Sequence, residues 1–193
     1  MDDGGASACS MILFFLLLFI EAVLSGFGRA IYLMNDKEIA RKAEEENDRK
    51  SLLLNRIIVH STIYVNSIQM ITTLIELVMG CFFLPRWAAQ FRAWFLEWSL
   101  FQGVSETVSG VLALVVATVC LMYILLTFSI LLPRKLAQKH PDVWAYRFIG
   151  YIQFLRTVLY PLTGIVAISA NAFLRLLGFR TIEEQADVTE EEI

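Results

Sequence analysis

Apolar positions in this chain form long uninterrupted runs separated by short charged segments. The run MILFFLLLFI at residues 11–20 contains no charge. Crossing about 30 Å of hydrocarbon takes around 20 helical residues, and three stretches are long enough: 10–34, 57–84 and 107–133. The first contains Glu21 ahead of Arg29, the second is interrupted by His60 and Glu76, and the third carries no charge. The first run differs from a cleaved signal peptide. Asp2 and Asp3 stand where lysines are expected, the apolar run is too long, and no small-x-small cleavage site follows. An anchor helix preceded by an extracellular segment 1–9 is expected.

Between the runs, residues 36–50 (DKEIARKAEEENDRK) predict a short solvated helix with mixed charges. Residues 85–104 carry Trp87, Phe91, Trp94, Trp98 and Phe101 at alternating spacings of four and three, which places them on one stripe of a helix. Tryptophan favours the headgroup boundary, so this segment reads as an interfacial helix on the outer leaflet or against a second protomer. Residues 141–178 are apolar and aromatic but contain Arg147, Arg156 and Arg175, with Pro161 breaking or bending the run, and 157–174 are long enough for a fourth span. Belt helices over 136–178 on the inner face fit the arginines better, because their heads can snorkel to headgroups. The acidic segment 181–193 reads as a linker toward a cytosolic region.

Composition supports a membrane assignment. The 193 residues are 57% hydrophobic and 18% charged, with a mean hydropathy of +0.61. Soluble domains run at roughly 45–50% apolar and about 25% charged. A soluble enzyme, a disordered chain and a disulfide scaffold all fit poorly. Cys9, Cys81 and Cys120 lie in or beside apolar stretches and read as packed or lipid-facing thiols. The net charge of −3 matters less than its placement. Lysines and arginines crowd 35–56 and the segment after residue 133, whereas the connector between the second and third runs holds only Arg86 and Arg92. The expected topology is N-terminus outside and C-terminus cytoplasmic. The fold class expected is all-α integral membrane, with three transmembrane helices plus juxtamembrane belt helices.

Candidate chemistry sits in the polar residues of the apolar runs, where they are costly and tend to mark function. Glu21 and Ser25 lie one turn apart on the same face of the first run, followed by Gly26 and Gly28, which permit close helix approach. In the second run Thr62, Asn66, Gln69 and Thr73 form one stripe, with Ser61 beside it. The third run carries Ser129 and ends at Pro133. These groups either hydrogen-bond neighbouring helices or line a cation path. The donors are all oxygens, which suit hard cations such as Mg²⁺, Ca²⁺ or Na⁺. No nucleophile elbow, HExxH, CxxC or phosphate-binding glycine loop is present, so an enzyme is not expected, nor is a nucleic-acid partner.

Several segments resemble the transmembrane domain of the CorC/cyclin M family, hemolysin-like proteins linked to magnesium export. In LLPRKLAQKHPDVWA (131–145), Pro133, Ala137, Lys139, Pro141 and Ala145 match the family pattern in register. YPLTGIVAISANAFLRLLG (160–178) is similar to the family's Tyr-Pro segment, and VTEEEI (188–193) to the linker into a CBS-domain pair. STIYVNSI (61–68) resembles a second-helix motif, with Thr62 and Asn66 in place, and Ser25 and Ala30 match the first-helix Ser-x-x-Glu-x-Ala motif. The resemblance implies a homodimer in the plasma or inner membrane, cytosolic CBS domains, and Mg²⁺ export coupled to Na⁺ entry. It also implies a cation site at Ser25, Thr62 and Asn66, and that 141–178 does not span. Two family carboxylates are replaced here, by Gly28 and by Ile130 of Ser129-Ile130, and the motif lysine is Arg134. Glu21 is our own candidate for the missing negative charge. The alternative is a non-transporting sensor or regulatory module of the same fold.

Overall fold

The computed structural model describes residues 3–45, 49–59, 61–97 and 105–177. They form α1 (Asp3–Ile31), α2 (Asp36–Glu45), α3 (Arg49–Val59), α4 (Ser61–Glu97), α5 (Glu106–Ile124), a π-helical segment (Leu125–Leu131), α6 (Leu132–Lys139) and α7 (Pro141–Leu176). No strand occurs among the described residues. Hydrocarbon supplies no partner for backbone N–H and C=O groups, so apolar runs of this length must satisfy them internally as helices. Three helical stretches are long and apolar enough to cross a membrane: Ala8–Ile31, Tyr64–Glu97 and Glu106–Lys139. The halves of α7, Pro141–Leu159 and Gly164–Leu176, meet the same test only when taken together as a bent pair.

The chain divides into two compact units, Met1–Ile152 and Gln153–Ile193. In the first, α1 packs against α4, the π segment and α6, and α4 packs along α5. The N-terminal half of α1 is open, with Met11, Ile12, Phe15, Leu16 and Phe19 exposed. Its C-terminal half is enclosed, with Val23, Leu24, Phe27, Ala30 and Ile31 buried. Ser109, Ala113 and Ala117 of α5 are buried at four-residue spacing, and such small side chains allow two membrane helices to approach closely. Ser105 caps α5, its hydroxyl accepting from the Val108 amide at 3.4 Å, and Glu106 in the first turn pairs with Arg92 at 3.1 Å. The second unit holds the end of α7, which bends sharply between Leu159 and Gly164 around Pro161. Phe154, Val158, Ile165, Ile168 and Phe173 are exposed there.

Two expected boundaries move. The interfacial helix at 85–104 is not a separate element where it is described, because α4 runs unbroken through Pro85 to Glu97. Proline removes one donor, but packing holds both sides of it. Phe14 of α1 stacks on Phe83 (5.0 Å, edge-on) before the proline and on Trp87 (5.5 Å) after it, and Arg86 donates to Ser10 Oγ at 2.9 Å. Trp87, Phe91 and Trp94 then line an open cleft of about 670 Å³ with Cys120 and Ile124. Trp98 and Phe101 lie outside the described residues. The second run also begins later than expected, since 57–59 belong to α3 and α4 starts at Ser61.

The segment expected to be one solvated helix contributes to two, α2 and α3. Asn35 caps α2, its side-chain oxygen accepting from the Lys37 amide at 3.2 Å. Glu38 and Lys42 pair at 2.8 Å. Their hydrogen bond, with the attraction of opposite charges, draws the carboxyl below its ordinary range and lifts the ammonium above its own. Ile39 and Ala43 of α2, with Leu54, Ile57 and Ile58 of α3, are buried. Ser51 of α3 shares a hydrogen bond with the Tyr146 hydroxyl of α7 at 2.9 Å. Tyr146→Phe should therefore cost about 1 kcal/mol. Thermal unfolding of the purified chain would show the drop. Ser51→Ala introduced together with Tyr146→Phe should add much less than it costs alone.

Candidate cation site

α1 and α4 run antiparallel, and their register sets the site. Phe14, in the N-terminal half of α1, meets Phe83. Seven residues further along α1 and seven back along α4, Glu21 lies next to Glu76. Another seven along α1, Gly28 faces Ile68. Ser129 reaches Glu21 from the π segment. In a regular α-turn the Pro133 ring would strike the Ser129 carbonyl, and the wider π-turn before it relieves that clash. The same segment buries Ser129 and then Pro133 and Ala137 against α1.

Glu21 is fully buried, at 0% exposure, and neither carboxylate oxygen has a hydrogen-bond partner among the described residues. The Ser129 hydroxyl is equally buried and equally without one. Buried carboxylates are ordinarily paired or coordinated, because leaving one bare in an apolar medium is expensive. Glu76 is half-buried. No group of three or more His, Cys, Asp or Glu converges among the described residues. The local donor set is thus two carboxyls and a hydroxyl, which suits a hard divalent cation that keeps part of its water shell.

One turn further along α1 from Glu21, the buried Ser25 hydroxyl accepts a hydrogen bond from Arg134 Nε at 3.1 Å. Arg134 lies in the first turn of α6, beside Pro133. A second tie joins the same helices when the Gln138 amide turns its oxygen to Arg29, at 3.0 Å from Nε and 3.1 Å from Nη2. Ser25 therefore faces a guanidinium here, and a cation bound at its oxygen would stand beside a positive charge.

The sequence-predicted site residues do not all converge. Glu21, Ser25 and Ser129 share the enclosed region around α1. Asn66, Gln69 and Thr73 are exposed. The packed face of α4 is Ile68, Ile71, Ile75, Met79 and Phe83, and a residue two positions from Ile68 points to nearly the opposite side of the helix. The hydroxyls of Thr72 and Thr73 both donate to the Gln69 carbonyl at 2.9 Å. Ser61 is half-buried at the start of α4, and the side chain of Thr62, like residue His60, lies outside the described residues. Glu76 counts among the polar residues of the second run in the sequence but falls outside the candidate ligand set expected there. The signal available in the sequence is a second carboxyl inside an apolar span, without the register that pairs it with Glu21.

Gly26 is required by contact. A Cβ there would lie 2.5 Å from Trp144 Cε2 and 2.6 Å from its Nε1, whereas one on Gly28 would meet only Ile68 Cγ2, at 3.9 Å. The motif residues Ala30, Pro133, Ala137 and Ala145 are all buried, so the pattern that carried the resemblance is largely a packing pattern.

Comparison with known proteins agrees with that resemblance. Among curated proteins no match was found. The family model for the cyclin M transmembrane N-terminal domain matches residues 12–193. That match covers nearly the whole chain, including α1, α4 and the π segment around Glu21, and the chain belongs to the cyclin M transmembrane N-terminal domain family.

Proposed function

We propose that this chain is a Mg²⁺ transport domain, exporting Mg²⁺ by alternating access with Na⁺ entry as the coupled flow. The observation that carries the reading is Glu21, a carboxyl fully enclosed in the middle of a membrane-spanning helix with no hydrogen bond to neutralise it. Such residues mark ion pathways. The N-terminus lies outside, the basic segments around α2, α3 and α6 face the cytoplasm, and α7 lies as a bent belt on the inner side. The exposed side-chain amides of Asn66 and Gln69, which lipid cannot satisfy, support a homodimer. CBS domains follow the acidic linker in the intact protein, which resides in the plasma or inner membrane.

The test is flux. Liposomes containing the purified chain and a trapped Mg²⁺-sensitive dye, given a Na⁺ gradient, should move Mg²⁺ well above protein-free liposomes. Flux at the protein-free level would remove the transport reading.

One observation favours the second reading, a sensor that binds a cation without moving it. The Arg134 guanidinium already occupies the Ser25 hydroxyl. The two readings share a prediction about that residue. Arg134→Gln removes a positive charge about a helical turn from Glu21 and should tighten Mg²⁺ binding by about 1 kcal/mol, a several-fold drop in the concentration that half-stabilises the protein against heat. An unchanged Mg²⁺ dependence would mean that the guanidinium does not act on the site.

A further inference from the structure

Glu76 has no counterpart in the ligand set that the family resemblance implies, yet the α1–α4 register places it against Glu21. The aromatic contact above, Phe14 on Phe83, and the Gly28–Ile68 approach below bracket the two carboxyls on one antiparallel seam. Ser129 closes the third side from the π segment, fully buried with its hydroxyl unpartnered. Two carboxylates meeting in a low-dielectric interior repel each other unless a proton or a cation lies between them, and among the groups around Glu21 the Ser129 hydroxyl brings no positive charge. The Arg134 guanidinium is directed at Ser25, one turn along α1. The unsatisfied oxygens of Glu21 and Ser129 come from two separate elements, and the Glu76 carboxyl reaches them from a third, an arrangement that suits a bound cation.

We propose that Glu21, Glu76 and the Ser129 hydroxyl form a divalent-cation site of this chain, joining α1, α4 and the π segment. The inference rests on the transport reading only for the choice of Mg²⁺ as the ion. The site supplies two negative charges from positions other than those of the lost family carboxylates at Gly28 and Ile130. One charge comes from each of two helices, so the ion cross-links them and its loss frees them to separate. Ser25 and Arg134 lie one turn inward, on the cytoplasmic side of the site in the expected topology.

The experiment is Mg²⁺-dependent thermal stabilisation of the full chain in detergent or nanodiscs, for wild type, Glu21→Gln, Glu76→Gln and the double variant, with Na⁺ as the monovalent control. Wild type should show a rise in Tm with Mg²⁺ that Na⁺ at equal ionic strength does not reproduce. Each single variant should lose at least half of that rise, and the double variant should lose little more than the worse single one. Without Mg²⁺ the same substitutions should leave Tm unchanged or raise it, because each removes one of two repelling carboxylates. A purely structural role predicts the opposite sign. A wild-type Mg²⁺ response in Glu76→Gln overturns the joint site, while Mg²⁺ flux by the wild type would still uphold transport. A lost response in both variants with no flux upholds the site and removes transport.

A second measurement uses the unaltered protein, in case a variant fails to fold. Dicyclohexylcarbodiimide, which enters hydrocarbon and modifies carboxyls there, should label Glu21 and Glu76, and Mg²⁺ should protect both, as read by peptide mass spectrometry. Labelling of either residue that Mg²⁺ does not change overturns the site.

Discussion

Gly26→Ala should destabilise the protein more than any other single-methyl addition to α1. The added carbon would sit 2.5 Å from the Trp144 ring, well inside contact distance. The ring is a rigid bicycle, half-buried on α7, and tilted against Phe148 at 5.3 Å. It cannot yield by a small rotation, so α1 and the start of α7 must move apart. Overpacking of this kind costs about 1–3 kcal/mol, a loss of several degrees in Tm. Trp144→Phe removes the struck atoms together with an indole N–H that is buried without a partner. Combined with Gly26→Ala, it should recover much of the loss. Gly28→Ala is the control. Its contact at 3.9 Å is ordinary, and alanine is the better helix former, so its Tm should hold or rise slightly. Equal losses from both glycines would mean that helix-wide effects, not the Trp144 contact, decide the outcome.

Transport should fall at least tenfold in Glu21→Gln at low Mg²⁺. The amide keeps the shape of the carboxyl and removes its charge. An interaction with a charged group is worth about 1.5–3 kcal/mol, and every 1.4 kcal/mol is tenfold in affinity. The deficit should shrink as Mg²⁺ rises, because binding is what has been weakened. Gel filtration and Tm report whether the variant still folds. Flux equal to wild type at all concentrations would remove Glu21 from the ion path. Asn66→Ala separates the two ligand sets. The packed face of α4 expects it to retain flux, since Asn66 is exposed away from that face. The set implied by the family resemblance expects it to lose flux as Ser25→Ala would.

The spanning helices were legible because the membrane imposes a local requirement. A run of about 20 apolar residues must close its own backbone hydrogen bonds, and no information from elsewhere in the chain is needed to see that. The end of the second span was not legible, because Pro85 is a local stop signal that a non-local contact overrides. Phe14, some seventy residues earlier, holds the chain on both sides of it. The split of 36–59 into α2 and α3 was similarly hidden, since its buried residues find partners only in the folded bundle.

For the site, the sequence by itself determined that Glu21 is anomalous. A carboxyl in a membrane span has to be satisfied by something, and that follows from one helix alone. It also determined the oxygen-only ligand chemistry and, through Pro133, Ala137 and Ala145, the family. Only the tertiary structure decided what Glu21 faces. Helical periodicity tells which residues share a face but not how far two helices slide past each other, so the pairing of Glu21 with Glu76 is fixed by the Phe14–Phe83 contact above it. Nor does periodicity tell which face is packed. The polar stripe of α4 predicts a face turned toward other helices or a cation path, but the isoleucine face is the packed one and turns Asn66 away from it. Ser25 completes the contrast: its place on α1 was plain, while its bond to a guanidinium more than a hundred residues away depends on the π segment that brings α6 back against α1.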